Sequence, residues 1–161
     1  MTPGVLTNTV MAPIRFENRA DAGKRLGEEI RDRGIDADLV LVVPRGGLPI
    51  GRAVADALGA PLDIVVAQKI GAPGNPEYAI GAVASDGSVW RNESAVGGID
   101  EEYFERQRAE KAESAREKAA RYRGDRPAPD LTGKTVVVVD DGVATGSTLK
   151  ACLLTLRETP V

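Results

Sequence analysis

The sequence contains no histidine and only one cysteine among its 161 residues. The absence of histidine excludes a Ser-His-Asp triad, a histidine-ligated zinc and an imidazole general base. The lone Cys152 cannot form an internal disulfide, and its place in an apolar helical pattern is typical of a small core residue. Any chemistry must therefore use carboxylates, cations, backbone amides or a borrowed metal ion.

The sequence also lacks a long apolar run and an excess of basic residues. No stretch approaches the ~20 apolar residues that cross a bilayer, and the N-terminus has no basic region leading into an apolar one. The 21 Lys and Arg against 24 Asp and Glu give a net charge of -3, which disfavours general binding to nucleic acid. We expect a cytoplasmic protein with neither a nucleic acid nor a membrane as partner.

Short apolar runs alternate with segments of helical periodicity. The runs at residues 39–43, 62–69 ("LDIVVAQK") and 136–139 predict buried strands. The helical segments have their apolar positions at Ala22, Leu26 and Ile30, at Ile50, Ala53, Val54, Ala57 and Leu58, and at Leu149, Cys152, Leu153 and Leu156. Buried strands that alternate with helices are typical of a doubly wound α/β fold, with a parallel sheet covered on both faces.

The middle of the chain does not follow this alternation. A Gly/Pro-rich loop ("IGAPGNPEY") precedes a predicted hairpin that turns at Asp86 and Gly87. Residues 100–123 alternate acids and bases around a narrow alanine stripe, which predicts a mostly exposed helix or, alternatively, an oligomer contact. We therefore expect one domain over residues 1–161, with a loose arm at 1–17 and an insertion at 71–130.

The segment "VVVVDDGVATGST" holds the residues that point to chemistry. In open α/β sheets, ligands bind beyond the carboxyl ends of the strands, where loops lead into helix N-termini. The loop after the strand at 136–139 has small residues that allow close approach and hydroxyls that can donate, so it predicts a phosphate site. The residues of this predicted site are Gly142, Val143, Ala144, Thr145, Gly146, Ser147 and Thr148. A nucleoside triphosphate is not indicated, because the loop lacks the Gly-Lys-Ser/Thr ending of a P-loop.

Asp140 and Asp141 separate the strand from this loop. Adjacent carboxylates repel an anion but are good acceptors for paired hydroxyls and good oxygen ligands for Mg²⁺. A sugar phosphate satisfies both the acids and the loop. The alternative is that the two acids merely end a strand and cap a helix.

This segment resembles the phosphoribosyl pyrophosphate (PRPP) motif of type I phosphoribosyltransferases. The resemblance implies that Asp140 and Asp141 bind the ribose hydroxyls and that the loop after them binds the 5-phosphate. It also implies that the two acids hold Mg²⁺, either directly or through ribose hydroxyls or water. "PRGGLPIG" is similar to the family's pyrophosphate loop, which implies diphosphate contacts from Arg45, Gly46 and Gly47 and a cis peptide from Pro44 to Arg45. Alternatively, Arg45 is a surface cation beside a plain turn.

The resemblance also gives roles to Lys69 and Glu77. Lys69 ends the second predicted strand, where it would contact the diphosphate or remain a snorkelling lysine. Residues 71–83 ("GAPGNPEYAIGAV") stand where the family has a mobile catalytic loop, the alternative being a rigid hairpin connector. Glu77 within this segment is a candidate proton acceptor.

The implied activity is Mg²⁺-dependent transfer of the 5-phosphoribosyl group from PRPP to a nitrogenous base, with release of pyrophosphate. Ala144 stands where 6-oxopurine enzymes of the family carry an aspartate, which disfavours hypoxanthine or guanine as the acceptor. The resemblance covers residues 39–156, and we expect the family's next strand and hood to be missing. The alternative is therefore a non-catalytic PRPP-binding regulatory module or an inactive shortened transferase. The sheet edge that the missing strand would expose favours a homodimer.

Overall fold

The computed structural model describes residues 13–158, and residues 1–12 of the predicted arm lie outside that range. The elements follow in the order α1 (Arg19–Asp32), β1 (Leu39–Val42), α2 (Leu48–Leu58), β2 (Leu62–Ile64), β3 (Ala67–Ala72), β4 (Asn75–Ala84), β5 (Val89–Arg91), α3 (Glu93–Val96), α4 (Glu101–Arg123), β6 (Val136–Val139) and α5 (Ser147–Arg157). None of these helices is long and apolar enough to cross a membrane.

The parallel sheet has the strand order β2-β1-β6. All residues of the central strand β1 are buried, as its continuous apolar run predicts. Val40 packs with Ile50 and Val54 of α2, whereas Leu41 belongs to the cluster of Cys152 in α5. Because neighbouring residues of a strand point to opposite faces, the sheet is covered on both sides, and the predicted doubly wound α/β fold is confirmed.

A second, antiparallel sheet with the order β3-β4-β5 was predicted only in part. The hairpin at Asp86 and Gly87 is confirmed by the antiparallel β4–β5 pairing and by the positive φ of 90° at Gly87. The predicted single strand "LDIVVAQK" is wrong, because it divides into β2 and β3, which belong to different sheets. Much of the predicted Gly/Pro-rich loop instead forms the tip of the β3–β4 hairpin, with Gly74 in its turn.

Helix α4 packs against both sheets through its predicted alanine stripe. Ala115 and Ala119 contact the cluster of Val42 and Ile64 in the parallel sheet. Towards its N-terminus, the same helix buries Phe104 and Ala112 against the antiparallel sheet, around Ile70, Ile80 and Val83. Helix α4 therefore holds the two sheets together.

Two leucines at predicted apolar helix positions are exposed and not buried. Leu26 is 40% exposed, because α1 approaches α2 through Gly23 and Gly27, where a side chain would collide with α2. Leu153 is 45% exposed, whereas Thr155 is fully buried and its hydroxyl donates to the Ala151 carbonyl at 2.9 Å. In both helices, the buried face includes a small or polar residue that hydrophobic periodicity does not detect.

Candidate functional site

The two loops that carry the motifs meet at one edge of the parallel sheet. Strands β1 and β6 pair in register from Leu39 and Val136 onward, and the Val43 amide donates to the Val139 carbonyl at 2.9 Å. The loops after both strands and the start of α5 enclose a cavity of about 370 Å³. Its lining comprises Val43, Pro44, Arg45, Gly46, Lys118, Asp140, Asp141 and residues 142–149.

The predicted phosphate loop lines this cavity along its whole length, from Gly142 to Thr148. Gly146 has a φ of 79°, a conformation that glycine adopts without strain, and α5 begins at the next residue. The first turn of α5 contains no acidic side chain, so its amides and its dipole favour an anion. The Thr145 hydroxyl lies 3.2 Å from the Ser147 hydroxyl, which adds further polar atoms to the same wall.

The two adjacent acids are in different environments. Asp140 is partly buried, and its Oδ1 accepts the Asp141 backbone N–H at 2.8 Å. Burial raises the pKa of the Asp140 carboxyl. Asp141 is more exposed, and its Oδ2 accepts a hydrogen bond from Arg19 Nη2 at 3.0 Å, which lowers the pKa of the Asp141 carboxyl. Within residues 13–158, neither carboxylate accepts from an amide of α5, so the capping alternative is not what the structure contains.

Asp141 also connects the acid pair to the Pro-Arg-Gly-Gly loop. A Cβ at Gly46 would lie 2.5 Å from the carboxyl carbon of Asp141, so only glycine allows this approach. The Pro44–Arg45 peptide is cis, as the family resemblance implies. Arg45 is exposed, and among residues 13–158 it has no carboxylate within 4 Å, so its guanidinium can donate to an added anion. Gly47, in contrast, is buried and does not line the cavity of the acid pair.

Lys69 and Glu77 lie beside the cavity of the acid pair and do not line it. Lys69 lies inside β3 and not at a strand end as predicted, because the second predicted strand is divided. Its ammonium group lies 3.1 Å from a carboxylate oxygen of Glu77, with side chains 22% and 85% exposed, respectively. The pair lines two neighbouring cavities, one against α4 and one against α5.

Two cations near the acid pair were not predicted from the sequence. Arg19 contacts Asp141, and Lys118 of α4 lines the cavity. A signal for Arg19 exists in retrospect, because it is the first residue of α1, where the helix dipole disfavours a cation. The place of Lys118 in the cavity could not be predicted from the charge pattern of α4, because that pattern does not show that one polar edge of the helix packs against the rest of the protein.

Comparison with known proteins identifies the family. Residues 15–159 match the model of the phosphoribosyl transferase domain. The chain belongs to this family. This phosphoribosyl transferase domain is 42% identical to TT1426 from Thermus thermophilus, whose crystal structure aligns with a TM-score of 0.83 over 91% of this chain and 71% of that one. The predicted family and fold class are thus confirmed.

Two curated relatives come from Mycobacterium tuberculosis. They are named "Putative phosphoribosyl transferase Rv0571c" (strain ATCC 25618 / H37Rv) and "Putative phosphoribosyl transferase MT0597" (strain CDC 1551 / Oshkosh). Each is 38% identical over 144 residues, which make up 88% of this chain and 32% of the relative. The phosphoribosyl transferase domain described here therefore spans about a third of the length of these relatives.

Proposed function

We propose that this domain transfers the 5-phosphoribosyl group of PRPP to a nitrogen of a heterocyclic base and releases pyrophosphate. The observation that carries the proposal is that one cavity is lined by the acid pair, by residues 142–148 and by Arg45. A sugar with a phosphate at one end and a diphosphate at the other matches these three groups in chemistry. Family membership supports a transferase.

Each group of the cavity has a distinct proposed role. Amides and hydroxyls between Gly142 and Thr148 would hold the 5-phosphate. Asp140 would accept hydrogen bonds from the ribose hydroxyls, and Asp141 would do so while sharing its carboxylate with Arg19. Arg45 would bind the diphosphate with paired N–H groups.

The proposed Mg²⁺ site would need oxygen ligands from PRPP as well as from the protein. Asp140 and Asp141 offer the oxygen donors that Mg²⁺ prefers, but residues 13–158 contain no group of three or more His, Cys, Asp or Glu that could hold a metal. Hydroxyl and diphosphate oxygens of PRPP would complete the coordination. When bound, Mg²⁺ would neutralise charge on the leaving diphosphate.

In the proposed reaction, a ring nitrogen forms a bond to the anomeric carbon as the bond from that carbon to the diphosphate oxygen breaks. The electron pair of the broken bond leaves with pyrophosphate, and the N–H proton of the base passes to solvent or to Glu77. Arg45 and the loop amides stabilise the charge that develops on the leaving group, which is mainly electrostatic catalysis. We propose Lys69 as a further cation for that charge, after it separates from Glu77.

Isothermal titration with PRPP, with and without Mg²⁺, tests the binding half of the proposal. We expect binding that strengthens with Mg²⁺ and that Asp140→Asn combined with Asp141→Asn sharply weakens. Release of pyrophosphate across a panel of purines, pyrimidines and pyridines tests catalysis. Binding without release would indicate the regulatory module instead, and unchanged affinity in the double variant would remove the ribose role of the acids.

A further inference from the structure

A second cavity of about 370 Å³ adjoins the cavity of the acid pair. It lies between the β3–β4 hairpin, α4 and the first turn of α5. Ser147 and Thr148 line both cavities, so the two spaces share the wall formed by the end of the phosphate loop. A ligand in this second space, the α4 cavity, would therefore lie beside the proposed 5-phosphate.

One polar edge of α4 forms a wall of this space. Tyr103, Gln107 and Lys111 are spaced four residues apart and share a face of the helix, and all three line the α4 cavity. The Tyr103 hydroxyl donates to the Gly71 carbonyl at 3.0 Å, which ties this edge to the hairpin. Lys118 lies seven residues beyond Lys111, on the same side, and lines the first cavity. The charge pattern of α4 predicts a solvent-exposed face, whereas these four side chains are half-buried in cavity walls.

The α4 cavity carries an excess of positive charge. Lys69 and Lys111 line it together with one carboxylate, that of Glu77, whose side chain is 85% exposed. One of the three N–H groups of the Lys69 ammonium donates to Glu77 at 3.1 Å, and the other two can donate to a ligand. Among residues 13–158, Lys111 has no carboxylate within 4 Å, although Arg108 and Arg116 on the same helix are both paired. An anionic group is the complement of this arrangement.

The remaining polar groups favour a planar heterocycle that bears the anion. Gln68 and Gln107 each offer both a donor and an acceptor, which match the alternating N–H and C=O groups on the edge of a nitrogen ring. Tyr103 and Pro76 provide flat, less polar surfaces in the same cavity. A carboxylate on the ring would pair with Lys111, which has no carboxylate partner among residues 13–158.

We propose that the α4 cavity binds the acceptor and that this acceptor is a nitrogen heterocycle with a carboxylate, recognised mainly through Lys111. The inference rests on the proposed transferase function, because it names the second substrate of that reaction. The Lys111 ammonium distinguishes a carboxylate from a neutral group at the same position, since its attraction to an unpaired anion is worth more than a hydrogen bond to a neutral oxygen.

Matched pairs of heterocycles test this proposal. Nicotinate against nicotinamide, and orotate against uracil, differ mainly in the carboxylate, and each is titrated into the whole chain with and without PRPP and Mg²⁺. We expect at least one acid to bind roughly tenfold or more tightly than its neutral counterpart. Lys111→Met should abolish this preference and Lys111→Arg should retain much of it, whereas Lys134→Met, at an exposed position outside the α4 cavity, should leave it unchanged.

Equal binding of acid and neutral partners, or a preference that survives Lys111→Met, would overturn the inference. Such a result would leave the proposed function standing, because PRPP affinity is measured separately in the same titrations. Absence of PRPP binding would instead count against the transferase. Thermal melting of each variant in the absence of ligand verifies that the exposed Lys134 and the partly buried Lys111 can both be replaced without unfolding the chain.

Discussion

Replacing each of the two neighbouring glycines of the Pro-Arg-Gly-Gly loop by alanine should have opposite consequences. At Gly47, a Cβ would lie 2.7 Å from the Val43 carbonyl and 2.8 Å from a methyl group of Val42, which are buried and cannot move apart easily. Overpacking of this kind costs about 1–3 kcal/mol. For a domain of this size, each kcal/mol lowers Tm by roughly 2–4 °C, so Gly47→Ala should lower Tm by about 2–12 °C.

At Gly46, the atoms nearest to the new methyl group would be those of the Asp141 side chain, which is 31% exposed and can rotate away. The stability should therefore fall only slightly, because the displaced carboxylate gives up an exposed pair with Arg19, and such exposed pairs stabilise proteins little. The displaced carboxylate would lose its proposed bond to a ribose hydroxyl, a charged hydrogen bond worth about 1.5–3 kcal/mol. PRPP affinity should accordingly fall roughly tenfold to a hundredfold.

Scanning calorimetry and PRPP titration on the two variants measure both effects. Gly46→Ala should melt only slightly below the parent chain, as expected for loss of the exposed Asp141–Arg19 pair, but should bind PRPP poorly. Gly47→Ala should melt well below the parent chain. Since neither glycine has a positive φ, a change in backbone preference does not complicate the comparison. The reasoning would be refuted if Gly46→Ala bound PRPP as the parent chain does, or if Gly47→Ala had an unchanged Tm.

Three other measurements follow from the described contacts. Asp140→Asn should raise Tm at pH 7, because burial raises the pKa of Asp140 and the ionised carboxylate therefore destabilises the folded chain above that pKa. Asp141→Asn should lower Tm at pH 7, because the pKa of Asp141 is lowered in the folded chain and the ionised carboxylate therefore stabilises it until the pH becomes acidic. Equal shifts of the two melting curves would contradict this assignment. Burial raises the pKa of Cys152 to about 11, so alkylation at pH 8 should be slow in the folded chain and rapid in denaturant; fast labelling of the native protein would disagree. Asp63→Ala should lower the free energy of unfolding in urea by roughly 3 kcal/mol, since it leaves the Arg123 guanidinium, which is 10% exposed, without its carboxylate. A decrease below about 1 kcal/mol would argue against that role of Asp63.

The site could be predicted from sequence to the extent that its chemistry is local. Both loops directly follow apolar runs, and the parallel pairing of those runs brings the loops together. Arg19 could not be assigned a partner, because it meets Asp141 across 122 positions of the chain through the packing of α1 on α2. The division between β2 and β3 was missed because Val65 and Val66 continue the apolar run and are buried themselves.

The contact of α4 with both sheets restricts how this protein can vary in length. Phe104 is anchored at one sheet and Ala115 at the other, so the number of residues between them sets the rotational phase of the helix. Deleting a single residue there would turn one end by about 100° and shorten the span by about 1.5 Å. Either Phe104, or the alanine stripe together with Lys118, would then face the wrong way. Tolerated insertions and deletions should instead fall in the exposed connection after Gly124, where no such phase is imposed.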